Sequence, residues 1–190
     1  MGIGAEQREA SDRVRIDGYD LPHRTGPRPE TLCGPLHIQC AGHGDPKLLE
    51  QLVSDVLSWP HIEALPASPD QRHIIRIRLE QGAASEESES FLSVREFARV
   101  MTGAPTIYLA LPLIWAHWAI VRGWAEPHYL GSFGLLPAGA VVVYTPKDRG
   151  ELSVCHSLFR VAYRSACKPN RQVAGIGATT GVGSWITTPC

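Results

Sequence analysis

The chain has 190 residues, of which 44% are hydrophobic and 19% charged, and its formal net charge is −1. This length and apolar content are typical of one packed domain and exclude a disordered chain. A charge so close to zero gives no general attraction for phosphate backbones or anionic lipids. We therefore expect no nucleic-acid partner and no membrane partner, while the oligomeric state stays open.

The N-terminal residues, MGIGAEQREASDRVR, are polar and lack the apolar stretch of a secretion signal. The longest apolar stretch, residues 107–120, is interrupted by Pro112 and His117 and is too short to span a bilayer. The five cysteines are scattered without a paired pattern, which favours reduced thiols over a disulfide framework. These features predict a soluble, cytoplasmic protein.

Three regions differ in composition. Residues 1–44 are rich in Gly and Pro and show neither a helical nor a strand period, so we expect an irregular N-terminal arm. Residues 45–167 contain the periodic segments and are predicted to form the folded domain. Residues 168–190 are rich in Gly, Thr and Ala, which predicts a flexible tail.

Three segments have the spacing of helices. Asp45 can cap an apolar repeat at three- and four-residue spacing, and this helix is expected to end at Trp59. A second helix is predicted from Pro112, and its apolar residues run almost all round, which predicts burial against a sheet. A third helix with one apolar stripe is predicted over residues 148–167.

The segments between these helices favour strands, because they alternate in polarity or are β-branched. The glycine-rich residues 131–134 are predicted to be a loop, because no strand and helix pattern flanks them as in a phosphate cradle. The element order predicts an α+β fold, a compact sandwich of a mostly antiparallel sheet with helices packed on one face. The predicted strands cover residues 74–79, 91–101, 106–111 and 138–144.

The predicted arm contains four donors that soft metals accept, in the pattern C-x3-H-x2-C-x2-H: Cys33, His37, Cys40 and His43. Zinc binds such sulfur and nitrogen donors tetrahedrally. Structural zinc sites usually separate two ligand pairs by a longer loop, and this spacing is compressed by comparison. The sequence therefore favours an arm without a metal site, although it leaves metal binding by these residues open.

His117 lies between Trp115 and Trp118 on the predicted second helix. A buried imidazole normally forms a hydrogen bond to a backbone carbonyl, so a core histidine is the favoured interpretation. The alternative is a role for His117 in ligand binding or as a general base.

The segment after this helix, RGWAEPHY, concentrates charged, polar and aromatic groups in one turn. Glu126 can tune the pKa of His128, and the neighbouring rings can line a ligand pocket. We predict His128 and Glu126 as catalytic residues, with a structural hydrogen bond of His128 in the turn as the alternative. The predicted ligand-binding residues are Arg122, Trp124, Tyr129 and His117.

Four motifs of the chain resemble a known family. They are Arg95-Glu96-Phe97-Ala98, Leu109-Ala110-Leu111, the GWAEPH segment of residues 123–128, and Tyr144-Thr145-Pro146-Lys147-Asp148 before the last helix. Together they resemble the luciferase-domain family, over roughly residues 45–166. The resemblance implies a compact α+β domain similar to the small sandwich of frataxin-like folds.

The family takes its name from the luciferase of bioluminescent fungi. That resemblance implies oxidation of a polyphenolic pyrone by molecular oxygen without a bound cofactor. We therefore expect a small aromatic molecule as the ligand, no cofactor, and cofactor-independent oxidation as the candidate reaction. The alternative is a non-catalytic binding or protein-interaction module that retains the family fold, so whether the protein is an enzyme stays open.

One departure from the family pattern bears on this choice. Family members typically have a His-x-His where this chain has Arg99 and Met101. His128 is the part of the family's histidine set that carries over. If the missing pair serves the oxygen chemistry, its absence favours the non-catalytic alternative.

Overall fold

The structure, a computed structural model, describes residues 14–16, 19–66, 73–86, 88 and 90–168. The predicted flexible tail, apart from Lys168, lies outside the described residues. The strands are β1 (Val14–Ile16), β2 (Tyr19–Leu21), β3 (Thr31–Leu32), β4 (Ile38–Gln39), β5 (Ile62–Pro66), β6 (Ile74–Leu79), β7 (Glu96–Met101), β8 (Thr106–Ala110), β9 (Ala125–Pro127) and β10 (Ala140–Val143). The helices are α1 (Pro46–Leu57), α2 (Leu113–Val121) and α3 (Arg149–Ala166), with a 3-10 helix at Tyr129–Phe133.

Six of these strands form one sheet, in the order β5-β6-β7-β8-β10-β9. Every neighbouring pair in it is antiparallel. The pairs β1-β2 and β3-β4 form two separate small ribbons. This arrangement confirms the predicted α+β class and its mostly antiparallel sheet.

The three helices that the structure describes contribute to one apolar core with one face of the sheet, which we call the helix face. Successive side chains of a strand point to opposite faces, so this face takes alternate residues of each central strand. Its core residues include Leu52 and Val56 of α1, Ala116 and Ala119 of α2, Leu158 and Phe159 of α3, and Ile107, Leu109, Val141 and Val143 of the sheet.

The first and third helices form as predicted. The side chain of Asp45 accepts a hydrogen bond from the backbone N–H of Lys47 and caps α1, and Pro46 occupies its first turn. Asp148 caps α3 in the same manner, accepting from the backbone N–H of Glu151. Local capping and apolar spacing therefore sufficed to locate both helices.

The predicted burial of the second helix against the sheet holds for only part of its surface. Leu113, Ile114 and Val121 are 60%, 58% and 47% exposed, and the fully buried residues of α2 are Ala116 and Ala119. The physical reason is position, since α2 lies against β9, the edge strand of the sheet.

Other boundaries also differ from the predictions. The strand expected over residues 91–101 begins at Glu96, because an isolated bridge between Ser93 and Glu96 closes a turn before it. Strands β5 and β9 were not predicted, and the expected loop at residues 131–134 falls largely within the 3-10 helix. Short strands break the arm that was expected to be irregular.

The expectation of reduced thiols throughout was wrong at Cys167, which is disulfide-bonded, whereas Cys33, Cys40 and Cys155 are free. Among the described residues, no helix combines the length and the apolar composition that a membrane span needs. The cytoplasmic location and the domain boundaries at residues 45 and 167 stay predictions.

The second face of the sheet, which we call the arm face, carries one row of mostly polar residues. Across the strands, Glu126 pairs with Val142, Val142 with Tyr108, Tyr108 with Arg99, and Arg99 with Arg76. Residues in such register lie on the same face of a sheet. The side chains of Arg99 and Met101, at the two positions where the family has histidines, therefore point to this face.

Residues 37–39 of the arm lie on the arm face. Gln39 is fully buried: its backbone N–H donates to Oγ1 of Thr106 at 3.0 Å, and its Oε1 accepts from the N–H of Thr145 at 3.2 Å. Gly44 ends the arm with its N–H 2.8 Å from Oγ1 of Thr145. A Cβ on Gly44 would lie 2.1 Å from the carbonyl oxygen of Pro146, so the contact requires glycine.

The buried carboxylate of Glu96 binds the two arginines at the other end of the row. Glu96 is fully buried and accepts hydrogen bonds from Nε of Arg76 at 2.8 Å, Nε of Arg99 at 2.7 Å and Oγ of Ser93 at 2.5 Å. Burial alone would raise the pKa of Glu96, but these hydrogen bonds and the charge of Arg99 outweigh it and lower the pKa. The ionised carboxylate therefore stabilises the fold.

We expect Glu96→Gln to destabilise the protein by about 1–3 kcal/mol at neutral pH, because the charged acceptor of three hydrogen bonds is lost. A lowered pKa contributes stability above the ordinary value of 4.5 and loses it as the pH falls, so the difference from wild type should shrink on acidification. Urea unfolding across this range measures both effects.

The matched control is Glu80→Gln, since Glu80 pairs with His61 at the surface with its side chain 53% exposed. This change should cost less than about 1 kcal/mol. Equal losses in the two variants would contradict the structural role of Glu96.

Candidate functional site

Glu126 lies on the edge strand β9 and joins two buried rings. Its Oε1 is 2.5 Å from Nε2 of His37, and its Oε2 accepts a hydrogen bond from the hydroxyl of Tyr144 at 3.0 Å. The side chain of Glu126 is 21% exposed, whereas that of His37 is 2% exposed. Of these hydrogen-bonded side chains, the carboxylate of Glu126 is therefore the one that a ligand can reach.

The backbone of the 3-10 helix fixes the state of His37. The N–H of Tyr129 donates to Nδ1 of His37 at 3.0 Å, so Nδ1 carries no hydrogen. The ring proton then lies on Nε2, which donates to Glu126. His37, Glu126 and Tyr144 thus form a hydrogen-bonded chain in which the carboxylate accepts from both sides.

His128 is buried beside this chain and caps the 3-10 helix. Its Nδ1 accepts the N–H of Leu130 at 3.1 Å, and its ring stacks edge-on against Tyr108 and His37, with centroids at 4.7 and 5.5 Å. Burial, followed by electrostatic interactions with His37 and Arg99, lowers the pKa of His128 to about 4. The ring is therefore neutral at pH 7 with its proton on Nε2.

Two tyrosines complete the buried part of the site. Burial, the charge of Glu126 and the hydrogen bond to it raise the pKa of Tyr144 to about 12. Burial also raises the pKa of Tyr108, against the opposing charge of Arg99, and the hydroxyl of Tyr108 donates to Sδ of Met101 at 3.3 Å. Both phenols therefore stay protonated at neutral pH and act as donors.

Cys33 brings a thiol to the same point. Its Sγ is 3.7 Å from Nε2 of His37, the nitrogen that also meets Glu126. A nucleophilic triad needs the carboxylate and the thiol on opposite ring nitrogens, so this geometry does not form one. One ligand atom from each of Cys33, His37 and Glu126 lies within 4.8 Å of the others, which is close enough to hold a metal ion.

The four arm donors do not form one set. Cys33 and His37 meet on the arm face, and their third neighbour is Glu126 of β9. Cys40 and His43 are both exposed. The pattern C-x3-H-x2-C-x2-H therefore marks two residues of the site but not a four-ligand cluster.

The structure brings Glu126, His128 and the backbone of Tyr129 together, but places the other predicted site residues elsewhere. The core interpretation of His117 was wrong, because its side chain is exposed on α2 beside Trp118. Trp124 is buried in the helix-face core, and its indole N–H donates to the carbonyl of Pro22.

Arg122 is also buried, with its guanidinium 5.9 Å from the ring of Trp118. Ligand-binding roles for Arg122, Trp124, Tyr129 and His117 stay predictions, as do the catalytic roles of His128 and Glu126.

Exposed apolar side chains border the site. Tyr129 and Phe133 of the 3-10 helix are 37% and 61% exposed, with ring centroids 4.9 Å apart. Leu36, next to His37 in the chain, is 64% exposed. Exposed apolar side chains on the segments that contact His37 suit an aromatic ligand better than a charged one.

Two cavities lined by described residues lie away from this cluster. A polar one of about 330 Å³ lies between α1 and α3 and includes His156 and Arg160. An apolar one of about 370 Å³ lies beside α1 and includes Leu49 and Ile75. Neither is lined by His128, so the cluster is defined by its hydrogen bonds rather than by either cavity.

Sequence reasoning missed His37, Tyr108 and Tyr144 as members of this site. His37 was considered only as a metal donor, and Tyr144 only as part of a family motif. Tyr108 has the strand alternation of its neighbours and no further signal. Only the register of the sheet and the docking of the arm bring the three together.

The lowered pKa of His128 predicts a specific dependence of stability on pH. Because the folded pKa of about 4 lies below the ordinary 6.5, the unfolded chain binds more protons between these values. Stability should therefore fall as the pH is lowered through this range, by up to about 3 kcal/mol.

The comparison is urea unfolding at about pH 7 and about pH 4.5 for wild type and His128→Asn, whose short side chain still offers a capping acceptor. The variant should lose less stability on acidification than wild type. His117→Asn, at an exposed position, serves as the control and should follow wild type. Identical behaviour of all three proteins would contradict a buried, neutral His128.

Residues 94–162 match the family model of the luciferase domain. The matched segment contains all four motifs from which the resemblance was inferred, and it includes Glu126, His128 and Tyr144 but not His37. No curated protein and no solved structure matches the chain. The match confirms the resemblance to the luciferase-domain family over residues 94–162.

Proposed function

We propose that the protein binds a small aromatic molecule bearing an acidic hydroxyl group at the cluster of His37, Glu126 and Tyr144. The observation that carries the proposal is the partly exposed carboxylate of Glu126, held by two buried donors. The 3-10 helix whose backbone binds His37 also carries the exposed rings of Tyr129 and Phe133. The rings supply apolar contact area, and the carboxylate supplies one oriented acceptor.

Glu126 is the group suited to accept the ligand's proton. Each of its oxygens already accepts one hydrogen bond, but an ionised carboxylate oxygen has a second lone pair for the ligand hydroxyl. His37 and Tyr144 hold the carboxylate in place and stabilise its charge. Deprotonation leaves an electron-rich aromatic anion, the form that molecular oxygen oxidises more readily, so cofactor-independent oxidation is the proposed reaction.

The role proposed for His128 changes with the geometry. A general base would need a free Nδ1, but this atom caps the 3-10 helix through Leu130. The hydrogen-bearing nitrogen is Nε2, and this N–H is the proposed donor to an oxygen of the ligand. We therefore assign His128 to ligand orientation rather than to proton abstraction.

A non-catalytic binding or interaction module is the second candidate. The exposed apolar side chains of Leu113, Ile114 and Val121 on α2 favour it, because grouped apolar residues on a surface often mark protein contacts. The replacement of the family's histidine pair by Arg99 and Met101 also favours it.

The test is a thermal-shift titration of the full chain with hydroxylated aromatic polyketides, followed by oxygen-electrode measurements on any ligand found. Binding to the folded state raises the melting temperature of wild type. Glu126→Gln should weaken binding at least about tenfold, because the charge-assisted hydrogen bond to the ligand is lost. Glu80→Gln, at an exposed carboxylate away from the cluster, should bind like wild type.

Oxygen consumption by wild type that Glu126→Gln lacks would support the enzyme. Binding without oxygen consumption in wild type would favour the non-catalytic module. No ligand in the set, or equal binding by the two glutamate variants, would refute a site at Glu126.

A further inference from the structure

We propose that Cys33, His37 and Glu126 form a zinc-binding site that spans the arm and strand β9. The three ligand atoms lie within 4.8 Å of one another and are a thiol sulfur, an imidazole nitrogen and a carboxylate oxygen. Zinc accepts all three donor types, and sites with three protein ligands leave a fourth position open. The inference concerns the metal alone and does not rest on binding of an aromatic ligand.

The distance between the sulfur and nitrogen ligands fits zinc, whereas the nitrogen and oxygen ligands must move slightly apart. Tetrahedral zinc places a sulfur and a nitrogen ligand about 3.6 Å apart, and Sγ of Cys33 lies 3.7 Å from Nε2 of His37. Nitrogen and oxygen ligands lie about 3.4 Å apart, so Oε1 of Glu126, now 2.5 Å from the same nitrogen, must move outward. The 21% exposure of its side chain provides the space.

The ion would take the place of the proton on His37. At present the sulfur of Cys33 and the oxygen of Glu126 both approach the hydrogen-bearing Nε2. On zinc binding the thiol loses its proton to solvent, and the hydrogen of neutral His37 moves from Nε2 to Nδ1, so that the metal can form bonds to the sulfur and to Nε2. The exposed position of Cys33 gives the ion a route from solvent.

One existing contact must break. With zinc on Nε2, a neutral His37 carries its hydrogen on Nδ1, which now accepts the N–H of Tyr129. Two donors then face each other, so the peptide of Tyr129 must shift. The loss of one neutral hydrogen bond is small against the free energy of zinc binding to sulfur and nitrogen donors. Zinc binding is therefore coupled to the start of the 3-10 helix.

The test is calorimetric titration of the reduced full chain with Zn²⁺, and with Co²⁺ as a spectroscopic probe of sulfur ligation. We expect one ion per chain and a near-ultraviolet absorption band from thiolate to cobalt. The amide signal of Tyr129 should shift in an NMR spectrum on addition of Zn²⁺, because its acceptor changes.

Cys33→Ser should abolish the cobalt band and weaken zinc binding by more than the roughly 10–100-fold that loss of a supporting residue costs. Cys40→Ser is the matched control, because Cys40 is an exposed free thiol of the same segment outside the cluster. Both substitutions are at exposed positions, so both variants should fold, as circular dichroism will show.

Absence of zinc binding by wild type would overturn the proposal. Equal losses in the Cys33 and Cys40 variants, or loss in the Cys40 variant alone, would also overturn it. The zinc site shares His37 and Glu126 with the proposed aromatic-ligand site. Because no aromatic ligand is present in these titrations, they test zinc binding alone, and failure of zinc binding would leave the proposed function untouched.

Discussion

The structure depends on covering both faces of one sheet with different parts of the chain. The helices cover one face with apolar side chains, but the arm face carries a polar row and needs hydrogen-bonding partners as well as contact. Gln39 supplies these partners, because its main chain and side chain satisfy Thr106 and Thr145 at a fully buried point. This docking also places His37, two residues earlier, against Glu126.

Backbone donors set the chemistry of the site. The N–H groups of Tyr129 and Leu130 each bind Nδ1 of a different histidine, so both rings present Nε2–H towards their surroundings. His37 and His128 are therefore donors, and the acceptor in the cluster is the carboxylate of Glu126. Treating the two histidines as bases would therefore reverse the direction of hydrogen-bond donation within the cluster.

The sequence predicted what local physics controls and missed what long-range contacts control. Helix α1 was predicted to within a residue or two because Asp45 caps it and its apolar spacing is regular. Helix α2 is only partly buried, and the sequence did not show this because periodicity does not reveal that its neighbour is an edge strand. Glu126 and His128 were identified from one short segment, but His37, 89 residues from Glu126, could be placed only by the docked arm.

The separation along the chain has a consequence for the order of folding. Strands β5 to β8 are consecutive neighbours in the sheet, so their pairing closes only short loops. The contact between Gln39 and Thr145 joins residues 106 positions apart and closes a much longer one. We therefore expect the sheet to form first and the arm to join it afterwards. The protein then passes through a state in which the sheet is folded but His37 has not yet reached Glu126.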